Sequence, residues 1–185
     1  MTKPSFKEIE RGFLFIDLRD SMGMVATLGL QNYSQLLTYC FEQLENCRQQ
    51  YPNIELHQYA GDAAIFTWQE PQTTEQAVLL FQNFINQLNA SSELLQQYST
   101  QLPYFSAAIN TGVVTEHHLG NRRIFYGNAI NATARLQGLC KHYDTPLLIS
   151  EQAYQYCSNS SLQYLNRVYL KGLSEALDIY GLESY

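Results

Sequence analysis

The sequence predicts an α+β sandwich, in which short apolar strands form a sheet and amphipathic helices lie against it. Three observations carry that expectation. Gly12 to Leu18 is a nearly continuous apolar run, the mark of a strand buried on both faces. Residues 54–59 and 63–68 flank Ala60-Gly61-Asp62 and read as two strands about a tight turn. Tyr33, Leu36, Leu37, Cys40, Phe41, Leu44 and Cys47 recur at helical spacing, so one stripe faces a core. Strands and helices alternate without the regularity of repeated βαβ units, which excludes a doubly wound sheet.

The elements follow in order. The first strand ends in Asp17-Leu18-Arg19-Asp20-Ser21, a turn with two carboxylates. The first helix runs from Tyr33 and is closed by Pro52. A second helix is expected from about Thr73 to Tyr98, with Ala77, Phe81, Phe84, Ile85 and Leu88 on one face. Pro103 precedes a strand over 104–111. The Thr-, His-, Asn- and Arg-rich stretch at about 113–125 reads as a long hairpin or arm. Gly127-Asn128 opens a third helix through Leu139. Residues 146–149 form a short buried strand and 151–157 a short helix. Residues 164–170 and 177–182 make a closing hairpin about Lys171-Gly172. No repeat or linker interrupts the 185 residues, which read as one domain over 1–185.

Composition narrows the function. The hydrophobic fraction of 45% supports a real core, and the charged fraction of 15% falls below the roughly 25% of an average domain. Eleven Lys and Arg against 17 Asp and Glu give a net charge of -6. That balance excludes a general phosphate-backbone binder, which needs a basic face, but not a small anionic substrate held through a metal ion. No export signal and no run of about 20 apolar residues is present, and the four cysteines lack any zinc-knuckle spacing. The expectation is a soluble cytoplasmic chain with reduced, mostly buried thiols.

Few residues stand where chemistry would use them. Asp17 ends the first buried strand and Asp62 tips the Gly-Asp turn; neither lies on a solvated helix face. If the hairpin pairs beside the first strand, both carboxylates converge at one edge, and carboxylate oxygens with no basic neighbour suit magnesium or manganese. The alternative is a capping acid and an ordinary turn acid. Asn131 and Arg135 are i and i+4 on the third helix and project together, as donors to a ribose and to a developing phosphate charge or as a plain surface pair. Lys171 is a phosphate anchor or an exposed turn lysine. His117-His118 lacks a third ligand at helical spacing, and with His57 and His142 it reads as strand, arm or surface.

The order of these motifs resembles the class III adenylate and guanylate cyclase catalytic domains, over about residues 13–182. Phe15-Ile-Asp-Leu-Arg-Asp-Ser21 looks like the family's first metal motif, and Tyr59-Ala-Gly-Asp-Ala-Ala-Ile-Phe66 like its metal hairpin. Ile109-Asn-Thr-Gly112 resembles the strand before the dimerisation arm. Phe125-Tyr-Gly-Asn-Ala-Ile-Asn-Ala-Thr-Ala-Arg-Leu136 is similar to the transition-state helix, and Leu170-Lys-Gly172 with Ile179-Tyr-Gly-Leu182 to the closing hairpin.

The resemblance implies a ferredoxin-like, palm-like sandwich with a dimerisation arm, and a nucleoside triphosphate converted to its 3′,5′-cyclic monophosphate. It implies two divalent cations, Mg or Mn, held by Asp17, Asp62 and the Leu18 carbonyl. The backbone from Leu18 through Arg19, Asp20 and Ser21 to Met22 would cradle the phosphates, with Lys171 on the terminal ones. Asn131 would orient the ribose and Arg135 would stabilise the α-phosphate. These last three come from the partner subunit, so the resemblance implies a head-to-tail homodimer with two shared sites.

The base-selecting positions depart from the family. Adenylate cyclases usually place Lys and Asp or Thr where this sequence has Gln58 and Ile124, and guanylate cyclases place Glu and a small polar residue there. ATP is preferred slightly over a pyrimidine triphosphate, the substrate of some stand-alone bacterial relatives in antiphage systems. A catalytically silent cyclase-like regulatory module is the competing class, against which all four central residues are retained. An RNA-binding module is disfavoured by the charge, and a diguanylate cyclase by the missing Gly-Gly-Asp/Glu-Glu-Phe hairpin.

Overall fold

The apolar run at the N-terminal end becomes the middle of one large sheet. The computed structural model describes residues 6–98, 101–158 and 161–182. Strand β1 (Lys7–Leu18) pairs antiparallel with β3 (Ala63–Trp68) on one side and β4 (Phe105–Leu119) on the other. β2 (Glu55–Ala60) adds to β3. Beyond β4 come β6 (Leu147–Ser150), β8 (Leu177–Leu182) and β7 (Leu162–Val168), giving the order β2-β3-β1-β4-β6-β8-β7. β5 (Arg122–Tyr126) folds back on the outer half of β4, and this hairpin is the expected arm.

Side-chain alternation along the central strands sends apolar groups to both faces. Leu14, Ile16 and Leu18 join Phe105, Ala107, Ile109, Leu147 and Ile149 in a core covered by α1 (Ser21–Arg48) and α2 (Thr74–Ala90). On the opposite face Ala108, Leu148 and Ile179 pack under α4 (Asn128–Leu139), with Phe13, Val114 and Phe125 beside its first turn. Each fully buried large side chain contributes about 1.5–3 kcal/mol, so β1, buried on both faces, anchors the fold.

Several boundaries differ from the sequence expectation, among them β7, which runs Leu162–Val168 rather than 164–170. β1 starts at Lys7 rather than Gly12, because the long β4 pairs with it out to Glu116 although Lys7, Glu8 and Glu10 are exposed. α1 starts at Ser21 rather than Tyr33. Its first half exposes Met22 and Leu30 and so shows no helical stripe, and Gly29 (φ 76°, ψ 158°) breaks it from the amphipathic second half. Only glycine adopts that backbone freely. α2 stops at Ala90, where Ser91 leaves the helical region, and a separate turn α3 (Ser92–Leu95) follows. α5 (Glu151–Tyr154) ends three residues early. Cys40, Cys47 and Cys140 are buried free thiols, and burial pushes Cys40, Cys140 and the partly buried Cys157 up to about 12, as inert structural cysteines. No helix among the described residues is long and apolar enough to cross a membrane.

Gly12 faces Trp68 across the β1–β3 register, and a Cβ there would lie 2.0 Å from the indole. Trp68 is fully buried and its Nε1 donates to Thr74 Oγ1 at 3.2 Å, so the ring has nowhere to retreat. Gly12→Ala is expected to cost about 3 kcal/mol from overpacking. Urea unfolding followed through Trp68, the one tryptophan of the chain, measures it.

Candidate active site

Register builds the acidic end of the site. Asp17, the penultimate residue of β1, lies opposite Ala63 on β3 and Ser106 on β4. Asp62 immediately precedes Ala63 in the β2–β3 turn, so hairpin pairing brings the two acids to one end of the sheet. Burial pushes the Asp17 carboxyl up to about 6, and the Asp62 charge adds to the effect. Hydrogen bonds from the Gln137 amide and the Leu18 backbone oppose the rise without cancelling it. Tyr33 of α1 leans over the same end: burial and the charges of Asp62 and Asp17 raise its pKa, against a hydrogen bond with Ser21.

This donor set fits a hard cation. Among the described residues no group of three or more His, Cys, Asp or Glu gathers to form a complete cage. Two carboxylates alone leave most positions of a hard cation's coordination sphere open. Asp17, whose pKa burial and its acidic neighbour raise, is the carboxylate whose charged form a bound cation would stabilise most.

α1 begins right after the acids, and the N–H groups of its first turn, starting at Ser21, have no intrahelical partners. Asp20 holds the left-handed conformation (φ 56°), with its carboxylate over Gly23. Arg19 is turned elsewhere. Its amide donates to the Tyr104 carbonyl at 2.8 Å and its guanidinium to the Thr145 carbonyl at 3.0 Å, stacked 4.3 Å from the Tyr104 ring.

The second group of residues sits on α4. Ala129, Ala132, Thr133 and Leu136 bury its inner face, leaving Asn131 and Arg135 exposed outward. Asn110 Nδ2 on β4 donates to the Ala129 carbonyl at 3.0 Å, and Ser150 Oγ donates to Asn110 Oδ1 at 2.6 Å, which pins the helix start to the sheet. The Lys171-Gly172 turn comes to the same corner: a Cβ on Gly172 (φ 87°) would lie 3.0 Å from Arg135 Nη1. Thus Asp17 and Asp62 are brought together, and so are Arg135 and the Lys171 turn. Among the described residues no ion pair links the acids to the basic corner.

Gln58 and Ile124 share a groove of about 710 Å³ between β2 and β5, lined also by His57, Tyr59, Phe125 and Ile130. A bulge between Leu56 and Gln58 inserts His57, whose ring lies 5.2 Å from Phe125. Burial and the nearby Arg123 lower the His57 pKa. Arg123 pairs with Glu55 and, at 3.9 Å, with Glu116, while the buried Arg11 reaches Glu116 at 3.6 Å and Glu55 at 4.0 Å. Arg123 is therefore engaged within its own chain.

Solved structures share this architecture. The adenylyl cyclase CyaB from P. aeruginosa aligns with a TM-score of 0.82 at 17% identity, over 98% of this chain and 97% of that one. The guanylyl cyclase Cya2 gives 0.83 at 16%, over 97% and 94%. In sequence, "Adenylate cyclase 2" of Rhizobium meliloti (strain 1021) is 29% identical over 146 residues, 76% of this chain and 40% of the relative. In fold the chain is similar to adenylyl and guanylyl cyclases, and in sequence to adenylate cyclases. No protein-family model matches it. The matched region spans under half the length of the curated relatives, 40% of the Rhizobium protein and 28% of an Anabaena cylindrica adenylate cyclase that is 29% identical over 141 residues.

Two further residues border the acids, Tyr33 and Gln137. Tyr33 packs against the core as its stripe position predicts, and the charges of Asp62 and Asp17 also act on its hydroxyl. Gln137 is a single glutamine two positions past Arg135, and only the register of α4 on β1 and β4 reveals its contact with Asp17.

Proposed function

We propose that the chain is a metal-dependent nucleotidyl cyclase, which converts a nucleoside triphosphate to its 3′,5′-cyclic monophosphate and pyrophosphate. The observation that carries this reading is the pairing of Asp17 with Asp62 at one sheet end, while Asn131, Arg135 and Lys171 stand exposed on the same fold. In the reaction the ribose 3′-oxygen bonds to the α-phosphorus, the bond to the β-phosphate oxygen breaks, and the hydroxyl proton leaves to solvent.

Asp17, Asp62 and the Leu18 carbonyl would hold two divalent cations, Mg or Mn, which lower the pKa of the 3′-hydroxyl and neutralise the triphosphate. The first-turn amides of α1, with Asp20, Ser21 and Met22, would receive the β- and γ-phosphates, as helix N-termini do. Arg19 keeps a supporting role, bracing that turn against Tyr104 and Thr145. Asn131 would orient the ribose, Arg135 would stabilise the charge developing on the α-phosphate, and Lys171 would hold the terminal phosphates. The outward aim of these three supports a head-to-tail homodimer, in which they complete the metal site of a second copy. The domain would then be the catalytic unit, with the 113–125 arm contributing to the subunit contact.

The base is read in the groove of Gln58 and Ile124, and ATP is the first expectation because the curated relatives are adenylate cyclases. A pyrimidine triphosphate, with a role in antiphage signalling, is the second reading. It is favoured by the groove itself, which offers an amide and an aliphatic wall at Gln58 and Ile124, where the resemblance leads one to expect Lys and Asp or Thr for adenine. Incubation with each of ATP, GTP, CTP and UTP under manganese and then magnesium, with products identified by mass spectrometry, tests both. One cyclic monophosphate is expected; its absence for every nucleotide would leave a silent regulatory domain. Asp62→Ala is expected to lower turnover at least about 100-fold while circular dichroism stays that of the wild type.

A further inference from the structure

Gln137 has two half-buried contacts that its position on α4 does not require for packing. Its Nε2 donates to Ser106 Oγ at 3.1 Å and to Asp17 Oδ2 at 3.4 Å. Asp17 and Ser106 are register partners on β1 and β4, so one side-chain amide caps both ends of a cross-strand pair. A carboxylate only accepts, which fixes the amide with its nitrogen toward Asp17, and its two hydrogens match the two acceptors.

The chemistry of this choice is specific. Glutamine donates to a carboxylate without bringing charge. A lysine there would compete with a cation for Asp17, and a glutamate would add a third negative charge beside Asp62. Gln137 and the Leu18 backbone take two acceptor directions of the Asp17 carboxylate and leave the others to a cation. Ser106, only 2% exposed, holds Gln137 in that pose.

We propose that Gln137 is a positioning residue that fixes the Asp17 carboxylate for its divalent cation. The inference rests on the cation reading above and extends it to a group on the helix that carries Asn131 and Arg135. Outer-shell partners of metal ligands typically change metal affinity 10–100-fold, and this longer bond belongs at the lower end.

Manganese binding to the full chain, measured by the free-ion signal in electron paramagnetic resonance, tests the idea without turnover. Gln137→Met keeps length and helix propensity but removes the donor, and is expected to raise the manganese Kd about tenfold. Ser106→Ala, which only frees Gln137 to rotate, is expected to raise it about threefold, and it serves if the first variant does not fold. In the cyclase assay, excess manganese should return Gln137→Met to wild-type kcat, because the defect lies in the cation and not in Arg135. A Kd within twofold of wild type, or a kcat loss that excess manganese does not restore, would overturn the positioning role. Manganese binding weakened as expected in a protein that forms no cyclic nucleotide would uphold Gln137 and reject the cyclase reading. No manganese binding by wild type would reject both.

Discussion

Asp17→Ala and Arg135→Ala proteins, each inactive alone, are expected to recover cyclase activity when mixed. Each substitution removes a group from both sites of a symmetric dimer, and the loss for either should reach about 100- to 1,000-fold, the range of a lost transition-state donor or metal ligand. In a heterodimer one site combines intact acids from one chain with an intact Arg135 from the other, and the second site carries both lesions. Random reassortment makes half of the dimers mixed, so activity should return to about a quarter of the wild-type value. The measurement is turnover before and after subunit exchange, with the heterodimer verified by differential tags. A verified heterodimer that stays inactive would mean that Asp17 and Arg135 serve the same chain. The outward position of Arg135 and Lys171 on α4 and the closing turn is what makes the shared arrangement the expected one.

The second large effect concerns stability. Asp17 is held near pKa 6 by burial and by Asp62, above the ordinary aspartate value of 3.8. A carboxyl whose folded pKa is raised favours the fold while it is protonated, below about pH 4. That contribution is lost as pH rises through about 6, because the charged form is better solvated in the unfolded chain. The metal-free protein should therefore lose on the order of 1–2 kcal/mol from this group between pH 4 and 7, after allowing for its partial exposure. Two measurements check it. Asp17→Asn should melt higher than wild type at pH 8 in a chelating buffer, and manganese should raise the wild-type Tm while leaving the variant unmoved. Equal melting temperatures at pH 8 would show that Asp17 carries no such burden.

Much of this site was legible in the sequence, and the reason is local. Asp17 was visible because an acid ends a buried apolar run, and Asp62 because Gly-Asp marks a tight turn between two strands; pairing β3 beside β1 then joined them. Asn131 and Arg135 were visible as an i, i+4 pair, and the structure does expose both. What stayed hidden depends on tertiary register. Nothing near Gln137 distinguishes it from any other helix glutamine until α4 is laid across β1 and β4. The first half of α1 is hard to see in sequence because Met22 and Leu30 are exposed and only Met24 and Leu28 touch the core, so the helical period is weak before Gly29. The length of β1 was underestimated because its first residues are charged and are held by pairing with the arm rather than by burial. Arg19 looked like part of a phosphate loop, and its tie to Tyr104 and Thr145 spans residues far apart in the chain.

The charge cluster at the root of the arm has a consequence for how the groove meets a base. Arg123, which itself lines the groove, is bonded from β5 to Glu55 on β2, and Arg11 on β1 lies between Glu55 and Glu116, so ion pairs link the two walls that carry Gln58 and Ile124. These pairs tie the walls to each other in the free chain, so if a base enters there, less ordering entropy would remain to be lost. Under the cyclase reading such a slot would discriminate by width as well as by hydrogen bonding, and widening it for a larger ring would part the Arg123–Glu55 pair.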